Sequence, residues 1–284
     1  MRVPGILFVL LASILTSGCS MFISKAADSF GANLTSAILN QDDPETVKAG
    51  MPSYMLLMDS FVEGSPDSPT MLGAASSLYA SYGGLFADDE IRAQRLTRRA
   101  RTYAADAMCH SFAESCHWDE LPFQDFEASL NKVPESAAKT LYTYGFALLA
   151  YIRAHASDYG ALAELPQAEA VLTRYVALAG ESANPAAFNY LGILQTLRPP
   201  ALGGKPEEAR ANFEKAISLT NGQDLSVKVE FAKGYARTLY DQELHDRLVA
   251  EVLEASPYAD GFTLLNVLAQ EQALELARTA PDYF

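Results

Sequence analysis

Cys109-His110 and Cys116-His117 come closest, of all residues in this chain, to specifying chemistry. Four such side chains suggest a zinc site of the form C-H-x5-C-H, but side chains at i and i+1 diverge on a helix, and the spacing matches no common zinc pattern. In an oxidising compartment an even pair of cysteines so close in sequence reads instead as a disulfide. Seven residues of straight helix would hold the two Cα atoms about 10.5 Å apart, past the roughly 7 Å limit for a bridge. A Cys109–Cys116 bond therefore requires a helix to end between them. Gly203-Gly204-Lys205 imitates the end of a phosphate loop, yet that pattern needs Gly where Pro199 stands and Ser or Thr where Pro206 stands. No G-x-S-x-G or H-E-x-x-H occurs. His110, His117, His155 and His245 have no neighbours that suggest a nucleophile or an acid/base pair, and Leu244-His245-Asp246-Arg247 resembles a catalytic set only with its order ignored. No catalytic residue, metal or cofactor is expected, and the chain does not read as an enzyme.

The third cysteine belongs to a different chemistry. Arg2, an apolar run from Ile6 to Leu15 and Thr16-Ser17-Gly18 form a short basic start, an apolar core and a small-residue cleavage site, so residues 1–18 read as a signal peptide. About ten apolar residues are too few to span a bilayer. Cys19, directly after the small residues, resembles the lipidated cysteine of a bacterial lipoprotein, although Thr16 stands where Leu is usual. The competing reading is an ordinary leader cleaved near Gly18. With lipidation, Cys19 anchors the chain in the envelope, and Ser20 in place of Asp favours the outer membrane. Residues 19–33 form the tether and 34–284 a single helical-repeat domain. Losing Arg2 takes the formal charge from −14 to −15, and no basic stripe offsets it, so nucleic acid is not an expected partner.

The elements that must position these residues are helices. Apolar residues recur at three and four over Val47–Phe61, Leu72–Phe86, Ile91–Met108, Thr140–Ala154, Pro166–Leu178, Leu225–Tyr240, Leu244–Leu253 and Phe262–Ala277, with almost no strand signal. Phe188, Leu191 and Gly192 stand where a tetratricopeptide repeat opens, and Ala209, Phe213 and Ala216 where its second helix packs back. Leu141, Tyr144 and Gly145 repeat the opening, with Ala170 and Ala177 closing it. The fold is expected to be all-α: tetratricopeptide-like helical hairpins in a solenoid with irregular insertions and a capping C-terminal helix. The loop Arg198–Pro206 is about five residues longer than the roughly 34-residue repeat allows. Arg95, Arg98, Arg99 and Arg101 form the basic cluster, read as a solvated helix face in preference to a phosphate site.

Projected onto the repeat, Tyr142, Phe146 and Leu149, then Asn189 and Ile193, then Val229 and Lys233 line the concave surface. That surface is mostly apolar, which suits a greasy ligand or a partner's hydrophobic element. A neighbouring helix filling it is the alternative.

Ile38-Leu39-Asn40-Gln41-Asp42-Asp43-Pro44, Glu63-Gly64-Ser65-Pro66, Pro199-Pro200-Ala201-Leu202-Gly203-Gly204-Lys205-Pro206, Glu243–Arg247 and the terminal Asp282-Tyr283-Phe284 resemble the T-component of TRAP transporters. The resemblance covers essentially all the chain after the leader, Cys109, Cys116 and Trp118 included. It implies a periplasmic lipoprotein, non-catalytic, assembled as a homotrimer, attached to the membrane through its lipid alone. It further implies docking of the TRAP substrate-binding subunit and a hydrophobic small molecule as cargo. A scaffold for outer-membrane protein assembly is the other function considered.

Overall fold

A computed structural model describes residues 33–284, so the leader, Cys19 and the tether up to residue 32 lie outside the described residues. Helix α1 covers 33–39. It is followed by α2 (Pro44–Gly64), α3 (Pro69–Leu85), α4 (Glu90–Ser111), α5 (Phe123–Leu130), α6 (Ala138–Ala154), α7 (Tyr159–Ala163), α8 (Leu165–Ala179), α9 (Pro185–Thr196), α10 (Pro206–Leu219), α11 (Leu225–Glu230), α12 (Gln242–Glu254) and α13 (Thr263–Tyr283). No strand occurs among the described residues. The protein is all-α.

Local chemistry sets most of the helix starts. Asp43, Ser68, Asp89, Asn184 and Asp241 stand at N-caps with side-chain oxygens accepting from backbone N–H groups of the first turn, which satisfies donors the helix itself cannot pair. Proline opens α2, α3, α9 and α10, where its missing N–H costs nothing. Pro52 and Pro281 lie inside α2 and α13. The expected end of α13 at Ala277 falls short: the helix runs on through Pro281 because Tyr283 and Phe284 anchor it, stacking on Tyr240 and packing edge-on to His245.

Helices pack in sequential pairs: α3 with α4, α6 with α8, α9 with α10, and α11 with α12, while α13 lies against both members of the last pair. The crossings depend on small residues. A Cβ at Gly145 would lie 2.7 Å from the Leu172 side chain, and one at Gly192 2.8 Å from the Phe213 ring, so only hydrogen permits these axial approaches. One apolar core runs through all the pairs, with Phe213, Leu141, Leu148, Val171 and Phe126 at its centre. Polar ties join neighbouring helices as well: Asp59 of α2 accepts from Tyr79 Oη (2.7 Å) and Tyr103 Oη (2.8 Å) and pairs with Arg99 (2.9 Å).

The start of α2 meets the turn that precedes α13. Asn40 Nδ2 donates to Asp260 Oδ1 (2.9 Å), and Gly261 N donates to Asn40 Oδ1 (2.7 Å). Tyr258 Oη donates to Asp42 Oδ2 at 3.2 Å, so the start of α2 is fixed beside α13.

Candidate functional site

The cysteine pair is bonded, with Cα atoms 4.5 Å apart. Helix α4 stops at Ser111 and a 3-10 segment, Ala113–Glu120, turns the chain back, which supplies the break the spacing demanded. Trp118 is sealed beneath it, donating Nε1–H to Ser129 Oγ (2.9 Å) and packing edge-on against Phe126 and Tyr144. The histidines beside the cysteines go to different carboxylates: His110 lies 3.5 Å from Asp67 and His117 3.8 Å from Glu120. Among the described residues no group of three or more His, Cys, Asp and Glu side chains converges as a metal cage would.

His245 is fully buried; Arg237 Nε donates to its Nε2 (3.3 Å), and Nδ1 lies 2.9 Å from Asp246 Oδ1. The basic cluster is not simply a solvated face. Arg99 is bound to Asp59 and Arg101 to Glu164 (2.7 Å), with the Arg101 guanidinium over the Tyr151 ring. These arginines tie α4 to α2 and to the start of α8.

The projected concave stripe divides into two parts. Tyr142 and Phe146 of α6 are half-buried and stack with Tyr190 of α9 at 6.3 Å and 5.3 Å, their planes within 18° and 14° of the Tyr190 ring. Tyr175 of α8 extends the ladder at 5.0 Å from Tyr142. Burial holds the Tyr142 hydroxyl well above the ordinary phenol range and pushes Tyr190 up to about 12, so both stay protonated in neutral solution. Asn189 is buried on the same helix, and its Oδ1 has no hydrogen-bond partner. Leu149, Ile193 and Val229, by contrast, are in the core. Arg153 closes over this end by donating from Nη1 and Nη2 to Glu230 Oε1, both at 3.0 Å. Lys233 is exposed, in the π-helical turn Phe231–Ala236 that follows α11. Tyr175 and Tyr190 were not among the expected lining residues; the aromatic run Phe188-Asn189-Tyr190 was the available signal.

A separate cavity of about 340 Å³ sits between the start of α2, the end of α3 and α13, lined by Asp43, Glu45, Lys48, Phe86, Leu268 and Glu271 among others. With this many charges its lining is that of a solvated cleft, not of a greasy pocket.

The long central loop folds back on α9. Pro200–Leu202 make one 3-10 turn. Gly203 N donates to Pro200 O, Gly204 N to Pro199 O and Lys205 N to Gln195 O. Gly203 has φ +89°, and a Cβ at Gly204 would lie 1.9 Å from Arg198 O. Both glycines are therefore required for the loop to turn back so that Lys205 N reaches the Gln195 carbonyl at the end of α9. Lys205 Nζ reaches Glu169 at 2.7 Å, and Gln195 donates to Glu169 and Glu208 while accepting from Asn212 Nδ2. The segment with the most specific sequence is thus a rigid cap joining α8, α9 and α10.

A family model described as TRAP transporter T-component matches residues 40–284. The chain belongs to the TRAP transporter T-component family. The match spans every helix from α2 to α13, so the loop, the disulfide and the aromatic ladder all lie within it. No curated protein matches the chain. T-components are accessory components of TRAP transporters, which associates this chain with such a transporter.

Proposed function

We propose that this chain is a non-catalytic accessory subunit that docks the substrate-binding subunit of a TRAP-type transporter and takes a hydrophobic ligand on the Tyr142–Phe146–Tyr190 face. The observation that carries the docking reading is the family match over residues 40–284. In this reading the paired helices are tetratricopeptide-like repeats in a solenoid, capped by α13, and the recurrence of a tight glycine at successive crossings supports it. Cys19 is lipidated and holds the protein in the periplasm at the outer membrane, and three copies assemble. The stacked, half-buried rings form an apolar cluster against which aromatic or alkyl surface packs in this reading. The neutral phenols of Tyr142 and Tyr190 supply uncharged polar contacts for one end of such a ligand.

The test is purification of the tagged full chain from envelopes in mild detergent, followed by native mass spectrometry and organic extraction. A complex containing a TRAP substrate-binding subunit, identified by its peptides, is expected, with an extractable apolar compound that Tyr190→Ala loses. Absence of that subunit from the complex contradicts docking. An empty protein contradicts the ligand.

A further inference from the structure

Residues 91–105 of α4 include five arginines and no Asp or Glu, in a chain where 35 acids outnumber 21 bases. Arg99 and Arg101 are bound to Asp59 and Glu164. Arg92, Arg95 and Arg98 are exposed and make no ion pair among the described residues. Their spacing of three keeps them on one side of the helix. Their nearest partners carry no negative charge: the Arg92 guanidinium lies over the Tyr82 ring at 5.7 Å, and Arg98 Nη2 is 3.4 Å from His155 Nε2. Three positive charges therefore stand together, uncompensated, on an otherwise acidic molecule.

Helices α2 and α4 both pack on α3 and run side by side in the same direction. Three ties hold them so: Lys48 to Asp88 (2.5 Å), Asp59 to Arg99 (2.9 Å) and Asp67 to His110 (3.5 Å). Each helix turns its buried residues inward, so the two outer sides face the same way. Those sides carry Leu56 (71% exposed), Leu57 (40%) and Ile91 (71%) beside the free arginines. Residues 46–58 of α2 contain no Asp or Glu. The carboxylates at the start of α4 are engaged: Asp88 holds Lys48, Asp89 accepts from Arg92 N and Glu90 accepts from Gln94 Nε2. Glu63 and Asp106 bound the face at its other end. Between these limits the surface is basic and aliphatic, a mixture that marks an interaction site.

We infer that the outer face of α2 and α4, with Leu56, Leu57, Ile91, Arg92, Arg95 and Arg98, rests on an anionic lipid surface. The guanidinium groups meet phosphates, and the aliphatic side chains enter the boundary of the acyl chains. Charge complementarity selects an anionic occupant, since each basic side chain near such a surface adds to the attraction. The aliphatic residues select lipid. Leucine is under-represented among the residues that anchor protein partners, whereas Leu and Ile beside Arg is the composition of helices that lie in a membrane interface. The choice also draws on the proposed lipid at Cys19, 25 positions before the start of α2, which keeps a membrane within reach. Attachment through the lipid alone then gives way to a body held in one orientation.

The test is flotation of the full chain carrying Cys19→Ser, which removes any attached lipid, with two kinds of vesicle: phosphatidylcholine alone, and phosphatidylcholine mixed equally with phosphatidylglycerol. Binding to the anionic vesicles is expected to exceed binding to the neutral ones by about 10-fold or more, and to fall as salt is added. Arg92→Gln/Arg95→Gln/Arg98→Gln is expected to weaken it about 100-fold, and Arg95→Gln alone about fivefold. Leu56→Ser/Leu57→Ser is expected to weaken it about 10-fold. Thermal unfolding should match the parent in each variant, since no ion pair or buried side chain is lost. Lys215→Gln, an exposed cation on the distant α10, is expected to bind as the parent does. Parental affinity in both multiple variants overturns this face, as does failure of the parent to bind either vesicle; the readings of Cys19 lipidation and of subunit docking stand in either case. Equal binding to neutral and anionic vesicles overturns the charge selection. Binding to polyglutamate with none to vesicles gives the face to an acidic protein and overturns the choice of lipid.

Discussion

Asp224 is a carboxylate that the fold has buried, and the consequence is a stability that depends on pH. It caps α11, accepting from Ser226 N at 3.1 Å and Ser226 Oγ at 2.5 Å, but burial outweighs these bonds and raises its pKa above the ordinary 3.8. Well below that value folded and unfolded chains both hold the proton, and burial costs nothing. As pH rises, the unfolded chain ionises first, so the contribution of this group to stability falls until the raised folded value is passed and then stays constant. Asp224→Asn keeps the cap acceptor and removes the buried charge. The melting temperature of Asp224→Asn should match that of wild type near pH 3, exceed it increasingly as pH rises from the unfolded pKa to the raised folded one, and keep a constant margin above that. A gap that closes with rising pH would mean that the cap charge dominates. The same scale shows what single residues disclosed in the sequence. Cys109 and Cys116 were readable because a short covalent loop has strict geometry, whereas Tyr190 was passed over for its neighbour Asn189. One helix position rotates a side chain by about 100°, enough to exchange a stacked face for a buried one.

Paired helices depend on what lies at their crossings and ends. Gly192→Ala places a methyl 2.8 Å from the Phe213 ring, which is itself completely buried. Overpacking of this kind should cost about 1–3 kcal/mol, read as a lower urea midpoint with unchanged slope. The disulfide acts through the unfolded chain. Closing so short a loop should contribute roughly 2–3 kcal/mol, lost in the Cys109→Ser/Cys116→Ser double variant with helicity retained; an unchanged midpoint would place the stabilisation elsewhere. Elements with strong apolar periodicity were legible in the sequence, as were the hairpin partners around Gly145 and Gly192. The π-helical turn at Phe231–Ala236 was not, because its sequence pattern is that of an ordinary helix and its register is set by packing against α9, where Gly234 faces Thr196. The end expected at Ala277 fell short because the aromatic anchors Tyr283 and Phe284 carry the helix on through Pro281. The loop at Pro199–Lys205 was visible as an excess; its purpose, capping α9, required the carbonyl positions.

Across the whole molecule the order of the pairs was legible and the shape of the surface they form was not. The closure of the start of α2 onto the turn before α13 runs through Asn40, Asp42, Tyr258 and Asp260, residues more than 200 positions apart with no shared local pattern. The concave stripe was likewise projected from an ideal repeat. Real crossings bury Leu149, Ile193 and Val229 and leave an aromatic face between α6 and α9. The T-component family match over residues 40–284 makes this all-α chain an accessory component of a TRAP transporter. The direct test is titration calorimetry of the full chain in mild detergent with the purified TRAP substrate-binding subunit. Saturable binding, one subunit per protomer with Kd on the order of 1 μM or tighter, is the predicted result. The absence of both heat and co-elution at concentrations near 100 μM, about a hundredfold above that Kd, would contradict it.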